Sequence, residues 1–343
     1  MIDWVTFFFP LDVDPGPESP LYNGEIMSLK PDYSVDWGVY RRKELRGSYE
    51  NDIRVWAGVH DHRKGVFVDG NPAKWFQGHN IFGSSDLHGL VHETISRTLD
   101  LVGLKPTESE RQAWKDGDID LLRVDVTESF DLGTRPRVMN AIRSLDATAN
   151  LKFRGRGEFK GYSLLFGRGS RRWSLMFYAK GPELDVHKLP QPLQLTSLPA
   201  HAEGLLRVEV RMQSMHLQSL KLHKLSSWSD NTASEVHESH LSKLQISEVS
   251  MIDAPGLEAL PPRLRAAYQL WKDGHDLRAM FPRPTFYRYR TSLLAHGIDI
   301  SVKQEREASN VIPFRLVLEA KRAAVPDWAH DTPLYFEPRY ASL

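Results

Sequence analysis

The sequence predicts an α+β fold, an antiparallel sheet with flanking helices, followed by a C-terminal helical region of helix-turn-helix-like spacing. Three observations predict it. Apolar and polar residues alternate over several short runs. Those runs are interleaved with segments of helical period. Close to the end, Gly274, Pro282 and Pro284 punctuate three short helical patterns.

In chain order, MIDWVTFFFPLD reads as a strand. IRVWAGVHDHRKGVFVDG reads as a hairpin, with Ile53, Val55, Ala57 and Val59 on one side and Val66 and Val68 returning. A loop around Gly78 and Gly83 leads to Asp86, a candidate cap for a helix whose apolar positions are Leu87, Leu90, Val91, Ile95 and Leu99. LLRVDVT is a strand, and VMNAIRSLDAT is a helix with Val138, Ile142 and Leu145 on one side. YSLLFGRGSRRWSLMFYAK is a pair of strands about a Gly-rich basic turn, and LLRVEVRM adds another strand. From Ser226 to Pro262 the chain turns polar and then Pro/Gly-containing. The division is placed there: residues 1–254 as one domain and 255–343 as a C-terminal helical region.

Composition bounds the function. Hydrophobic residues make up 41% and charged residues 26%, which fits a soluble globular chain with a packed core. No apolar run approaches the roughly 20 residues of a membrane span, no leader-peptide layout opens the chain, and there are no cysteines, so a cytoplasmic setting is expected. The 44 basic and 44 acidic residues cancel, yet the basic side chains between Lys152 and Arg172 face a single acid, Glu158.

RVDV at Arg123 to Val126 and RVEV at Arg207 to Val210 repeat one pattern. If Leu122, Val124 and Val126 face the core, then Arg123, Asp125 and Thr127 share the other face, as do Arg207, Glu209 and Arg211 on the second strand. The same arithmetic sets Met176, Tyr178 and Lys180 on one side, with Glu183 just past the strand end. The wet face of a half-exposed sheet is the ordinary reading of any one of these strands. Together they place a tyrosine, a lysine and acids on one surface. Such acids suit Mg²⁺ or Mn²⁺, and a tyrosine beside them suits nucleophilic attack on a phosphodiester.

The sequence resembles the filamentous bacteriophage replication initiator (gene II protein) family. The likeness is carried by the opening MID and its aromatic-rich strand, PAKWFQGHNIFGSSDL, LRVDVT, LMFYAKGPEL, LLRVEVR, FYRYRTSLLAHGI, NVIPF and PDW. It implies a rolling-circle initiator-like nuclease core. It also implies nicking of the viral strand at the double-stranded phage origin through a 5′-phosphotyrosyl link, with a free 3′-OH for the host polymerase, and closure of the displaced single strand. A host replication helicase and the host bacterial cytoplasm are implied with it. The motif's tyrosine falls on Tyr178, with Lys180 and Glu183 beside it, and Tyr162, Tyr287 and Tyr289 are poorer candidates. Asp125, Glu209, Glu183 and His79 are candidate metal ligands, with the choice among them open, and a phosphate contact and a loop-structuring role are the alternatives for His79.

His60-Asp61-His62 is set aside as a metal motif because the hairpin reading puts it at a turn, and His237 and His240 are expected at the surface. Contacts to DNA are expected from Arg123, Arg207, Arg168, Arg171 and Arg172, and from Tyr287, Arg288 and Arg290 on a last helix capped by Thr285 with Phe286, Tyr289, Leu293 and Leu294 inward. A small helical packing module is the alternative for that region, and a non-catalytic origin-binding or regulatory protein is the rival function. A third, an RNA-binding sheet protein, lacks the aromatic strand motifs that stack bases.

Overall fold

The structure, a computed structural model, describes residues 1–152, 154–246, 261–272, 275–295, 298–301 and 322–338. Its first strand, β1 (Ile2–Pro10), buries Val5, Phe7 and Phe9 on one face and turns Trp4 and Thr6 to the other. β2 (Glu25–Leu29) and β3 (Val35–Tyr40) pair only with each other, as a ribbon apart from the main sheet. β4 (Lys43–Arg46), β5 (Asp52–His60) and β6 (Arg63–Gly70) follow as antiparallel neighbours. The β5–β6 turn is Asp61-His62, with φ of 45° and 62°, so the His-Asp-His trio does lie at a tight turn. Val59, expected inward, is exposed at the end of β5.

The helix α1 (Pro72–Gln77) starts where the Asn71 side chain accepts from the Lys74 N–H. It closes at Gly78, whose φ of 85° and contact with Tyr49 leave no room for a Cβ. Asp86 caps α2 (Leu87–Val102), accepting from the Gly89 N–H at 2.8 Å as the sequence suggested. α3 (Glu108–Lys115) opens on a reciprocal capping box between Thr107 and Glu110. Next come β7 (Asp120–Asp131), α4 (Arg135–Thr148), β8 (Ala149–Leu151), β9 (Gly155–Arg156), β10 (Glu158–Lys160), β11 (Ser163–Phe166) and β12 (Trp173–Ala179). α5 (Lys180–Val186), α6 (Gln191–Gln194), α7 (Leu198–Ala202), β13 (Leu205–Gln213), α8 (Ser214–Ser219), α9 (Thr232–Leu241) and β14 (Leu244–Ile246) complete the first unit.

Nine of these strands form one sheet in the order β10-β11-β12-β13-β7-β1-β6-β5-β4, and every neighbouring pair is antiparallel. The apolar faces of α2, α4, α8 and α9 join one side of it in a single core. Burying each Val, Leu, Ile or Phe there contributes about 1.5–3 kcal/mol relative to exposure. That core explains why Val138, Ile142 and Leu145 line up on α4. On β7 the inward set differs from the simple alternation. A register shift against β1 puts Leu121 in the core and leaves Leu122 only partly buried, while Val124 and Val126 point inward as expected.

The polar stretch after Ser226 contains α9, and its histidines are not at the surface. His237 and His240 are fully buried, His237 beside the Val208 carbonyl and His240 Nε2 2.8 Å from His216 Nε2. Imidazole carries enough apolar area to pack as core when its nitrogens find partners.

Among the described residues of the C-terminal region three α-helices, α10 (Pro262–Lys272), α11 (Leu277–Met280) and α12 (Arg283–Leu294), pack around a separate small core of Tyr268, Trp271, Leu277, Phe286 and Leu293. α12 is entered from Pro282 rather than capped by Thr285, and Leu294 is exposed. The domain boundary expected at 254/255 lies outside the described residues, as does NVIPF. Residues 322–338 return to the large sheet. The Ala323 N–H donates to the Ser129 carbonyl, and Phe336 stacks on Phe76.

Candidate active site

Tyr178 stands near the end of β12, where Phe177 faces the core and Tyr178 the opposite side. Its partners across the ladders are Ser163 on β11 and Arg207 on β13. It is only 5% exposed, yet it does not belong to the apolar core. Burial pushes its phenol well above the ordinary value, and the Arg207 guanidinium, 5.8 Å from the ring centre, pulls the other way.

The two RV(D/E)V strands, β7 and β13, are direct neighbours, and the face arithmetic holds. Tyr178 pairs with Arg207, Met176 with Glu209, Glu209 with Thr127, and Arg211 with Asp125. Tyr178, Glu209 and Asp125 therefore share one surface, on a diagonal. Glu209 is one strand over and two residues along from Tyr178. Asp125 is a strand further and four residues along, which is about 13 Å of offset at the usual strand rise. Of these two acids, Glu209 is the nearer to the tyrosine. Asp125 is gathered into a group of arginines, accepting from Arg123 Nε at 2.8 Å and Arg211 Nε at 3.1 Å, while Arg211 also reaches Glu209 at 3.1 Å. Burial, with Asp125 and Asp3 nearby, pushes the Glu209 carboxyl up to about 8.

Lys180 begins α5 rather than continuing β12, and its side chain is fully buried. Its ammonium donates to Asn80 Oδ1 at 2.9 Å and Glu183 Oε2 at 2.7 Å, and sits 6.0 Å from the Tyr178 ring centre. Burial and the Arg207 charge lower it to about 8. Arg207 is also fully buried. It donates to the Asn80 and Ile81 carbonyls and to Asp3, so this arginine, expected at the DNA, braces the loop at 80–81 from inside.

Sequence reasoning passed over Asp3, Asn71 and Asn80. A register shift in β1 between Ile2 and Trp4 accompanies the placing of Asp3 on the polar side, where it accepts from Asn71 at 3.0 Å and Asn80 at 2.7 Å. Burial alone would raise its pKa. Arg207 and Lys180 outweigh that and hold Asp3 below the usual carboxylate range. The available signal was an acid interrupting an apolar strand at MIDW.

His79 is fully buried. Its Nδ1 accepts from the Ile81 N–H at 3.2 Å, bracing the loop, and its Nε2 lies 2.8 Å from the Leu334 carbonyl, tying the loop to the returning tail. Burial lowers it to about 4, leaving it neutral. Glu183 is committed to Lys180. Among the described residues no three His, Asp or Glu side chains gather as a metal-holding group. The donor set left on this face is Glu209 near the tyrosine, with Asp125 further along and paired to Arg123 and Arg211. It suits an ion that takes one or two carboxylates and fills its other positions with water and phosphate oxygens, as Mg²⁺ does.

The basic turn is exposed at Arg168, Arg171 and Arg172, with Gly167 and Gly169 at φ of 77° and 69° shaping it. It lies at the opposite end of the β11–β12 hairpin from Tyr178, five residues away along β12, about 17 Å by strand rise. On α12, Tyr287 and Arg288 are exposed. Arg290 is held by Asp299 through two bonds of 2.7 Å, with Arg156 on the same carboxylate, so it joins the small core's edge to the first unit.

A polar sheet face that buries a tyrosine among a lysine, an arginine and acids, under the loop at 80–81, is where the comparisons with known proteins bear. Residues 1–231 match the family model for the N-terminal part of the phage gene II replication-associated protein, and residues 259–335 match the model for its C-terminal part. The chain belongs to this family, and its function is that of a rolling-circle replication initiator. Its similarity to the gene II replication-associated protein of Enterobacteria phage I2-2 is 34% identity over 353 aligned residues, covering 100% of both chains. A rolling-circle replication initiator protein from Geobacillus stearothermophilus aligns over 74% of this chain and 88% of its own, at 13% identity and a TM-score of 0.36. That likeness is too distant to bear on residues or mechanism.

Proposed function

We propose that the chain nicks the viral strand of a double-stranded phage origin through Tyr178. The phenol oxygen attacks the scissile phosphorus, the bond to the 3′ oxygen breaks, and the products are a 5′-phosphotyrosyl link and a free 3′-OH. The reverse attack by a 3′-OH rejoins the displaced strand. The observation that supports this most is the seating of Tyr178 on the polar face between Arg207 and the Lys180–Asn80–Asp3 network.

Burial keeps the phenol protonated at neutral pH, so its proton leaves as the new bond forms. Lys180, lowered to about 8, has a neutral fraction able to take that proton. Arg207 offers a fixed positive charge to the phenolate that develops. Glu209 and Asp125 would hold a Mg²⁺ or Mn²⁺ ion, which supplies Lewis-acid stabilisation of the phosphate when bound. Arg168, Arg171, Arg172, Tyr287 and Arg288 are exposed and supply contacts to duplex phosphates, Arg168 from beside Glu158. Family resemblance adds the host helicase and polymerase as partners and the host cytoplasm as the place of action, and no described helix is long and apolar enough to cross a membrane.

The low exposure of Tyr178 favours a second reading, a non-catalytic origin-binding protein. Incubation with supercoiled origin DNA, in Mg²⁺, Mn²⁺ or EDTA, followed by mapping of the nick and of any protein adduct, separates the two. A unique nick and a protein–DNA adduct mapping to Tyr178, both absent in EDTA, support the nickase. Binding without cleavage in any ion supports the alternative.

A further inference from the structure

The polar side of the sheet carries a second feature, away from Tyr178, where arginine heads reach solvent. Arg123 on β7, Thr6 on β1, Asp69 on β6 and Arg54 on β5 are register partners in one row across the strands. Asp69 is the anchor. Nearly buried, it accepts from Trp4 Nε1 at 2.8 Å, Thr6 Oγ1 at 2.7 Å and the Arg54 and Arg42 guanidiniums. Two indoles lie under the arginines. The Arg42 guanidinium lies 4.3 Å from the Trp56 ring centre, and Arg123 and Arg54 lie 5.0 and 5.9 Å from that of Trp4. Trp56 is backed in turn by Phe67, stacked within 4° of parallel.

Arg42, Arg54 and Arg123 are thus each held by an acid and a ring, and Arg211 by Asp125 and Glu209; Arg123 is the most enclosed, at 21% side-chain exposure. The Arg42, Arg54 and Arg211 side chains remain 48%, 42% and 41% exposed, whereas those of Asp69 and Asp125 are 9% and 1%. The charge this surface presents outward is positive even though acids lie beneath it.

We propose that this row is a track for single-stranded DNA, in which Arg42, Arg54, Arg123 and Arg211 take successive phosphates and guanidinium planes receive bases. Arg211 on β13 and Arg54 on β5 are four strand steps apart, a span of about 19 Å. The row also continues towards Glu209 and Tyr178 through Arg211. A single strand suits this surface better than a duplex does. The duplex major groove, about 12 Å wide, admits a helix or a two-stranded ribbon, whereas a broad sheet face meets only the backbone ridge. A single strand can lie along the row with bases on flat cationic surfaces. The track rests on the nicking reading only for what supplies the strand, namely the end released at the origin.

The test uses the full chain and fluorescent dT20, against a 20-base-pair duplex of mixed sequence, in EDTA so that no cleavage intervenes. Arg42→Ala and Arg54→Ala are each expected to weaken dT20 binding about tenfold and to lower the salt slope by about 0.7, with duplex binding changed less than about twofold. Arg54→Lys, which keeps a partner for Asp69, controls for folding and is expected to fall between wild type and Arg54→Ala. Equal losses on both DNAs, or no loss on dT20 in variants with unchanged melting, would overturn the track. The same titrations in a Tyr178→Phe background are expected to give the same ratios, which separates failure of the track from failure of the nucleophile assignment.

Discussion

The buried ammonium of Lys180 donates to the side-chain oxygen of Asn80 at 2.9 Å, and the nitrogen of the same amide donates to Asp3 at 2.7 Å. One asparagine therefore sets the positions of a cation and an anion that flank Tyr178. Asn80→Ala removes both bonds at once. The expected outcome is a loss of about 1–3 kcal/mol in urea unfolding, from buried groups left unpaired, and a fall of about 100-fold in single-turnover nicking from misplacement. Origin affinity is expected to stay within about twofold of wild type, since Asn80 is buried. A folded variant that nicks at the wild-type rate would remove the network from the mechanism.

Glu209 yields a pH test. Its folded pKa, raised by burial and by Asp125 to about 8 from 4.5, means the folded state holds a proton that the unfolded state has released. The corresponding stability is complete below pH 4.5 and is lost as the pH climbs to about 8. In EDTA, wild type should therefore lose stability relative to Glu209→Gln between pH 5 and pH 8. Adding Mg²⁺ at pH 8 should restore it in wild type alone, by mass action on the charged carboxylate. Equal Mg²⁺ effects on both proteins would exclude Glu209 as a ligand.

Two arginines on one helix should behave differently. Arg290 is tied to the nearly buried Asp299, so Arg290→Ala should lower the melting temperature, at a cost of about 1–3 kcal/mol. Arg288 is exposed. Arg288→Ala should leave melting unchanged and reduce the salt slope of duplex-origin binding by about 0.9. Gel-shift titration at two salt concentrations, with calorimetry of each variant, checks both.

Much of this was legible in the sequence because period two is strict on a one-sided sheet. Val124, Val126, Val208 and Val210 face a continuous apolar core, so Asp125, Arg207 and Glu209 had to face away. Strand order was not legible, and it decides which acid stands beside Tyr178. The register offset separates Asp125 from the tyrosine, and no local pattern encodes that. Register shifts also defeated the arithmetic at Leu122 and hid Asp3. His237 and His240 were misread, and the role of His79 was left open, for a common reason. Their partners, at Leu334, Val208 and His216, come from distant or differently folded segments.

The identity of the nucleophile is tested most directly by Tyr178→Phe, which removes one oxygen from a buried ring and leaves its packing in place. Nicking of supercoiled origin DNA with Mg²⁺, measured beside origin binding by the same preparation, is the deciding measurement. No nicked product and no covalent adduct are expected, with binding within about twofold of wild type, because backbone contacts elsewhere supply the affinity. Nicked DNA at a wild-type rate from the Phe variant would contradict the assignment of Tyr178.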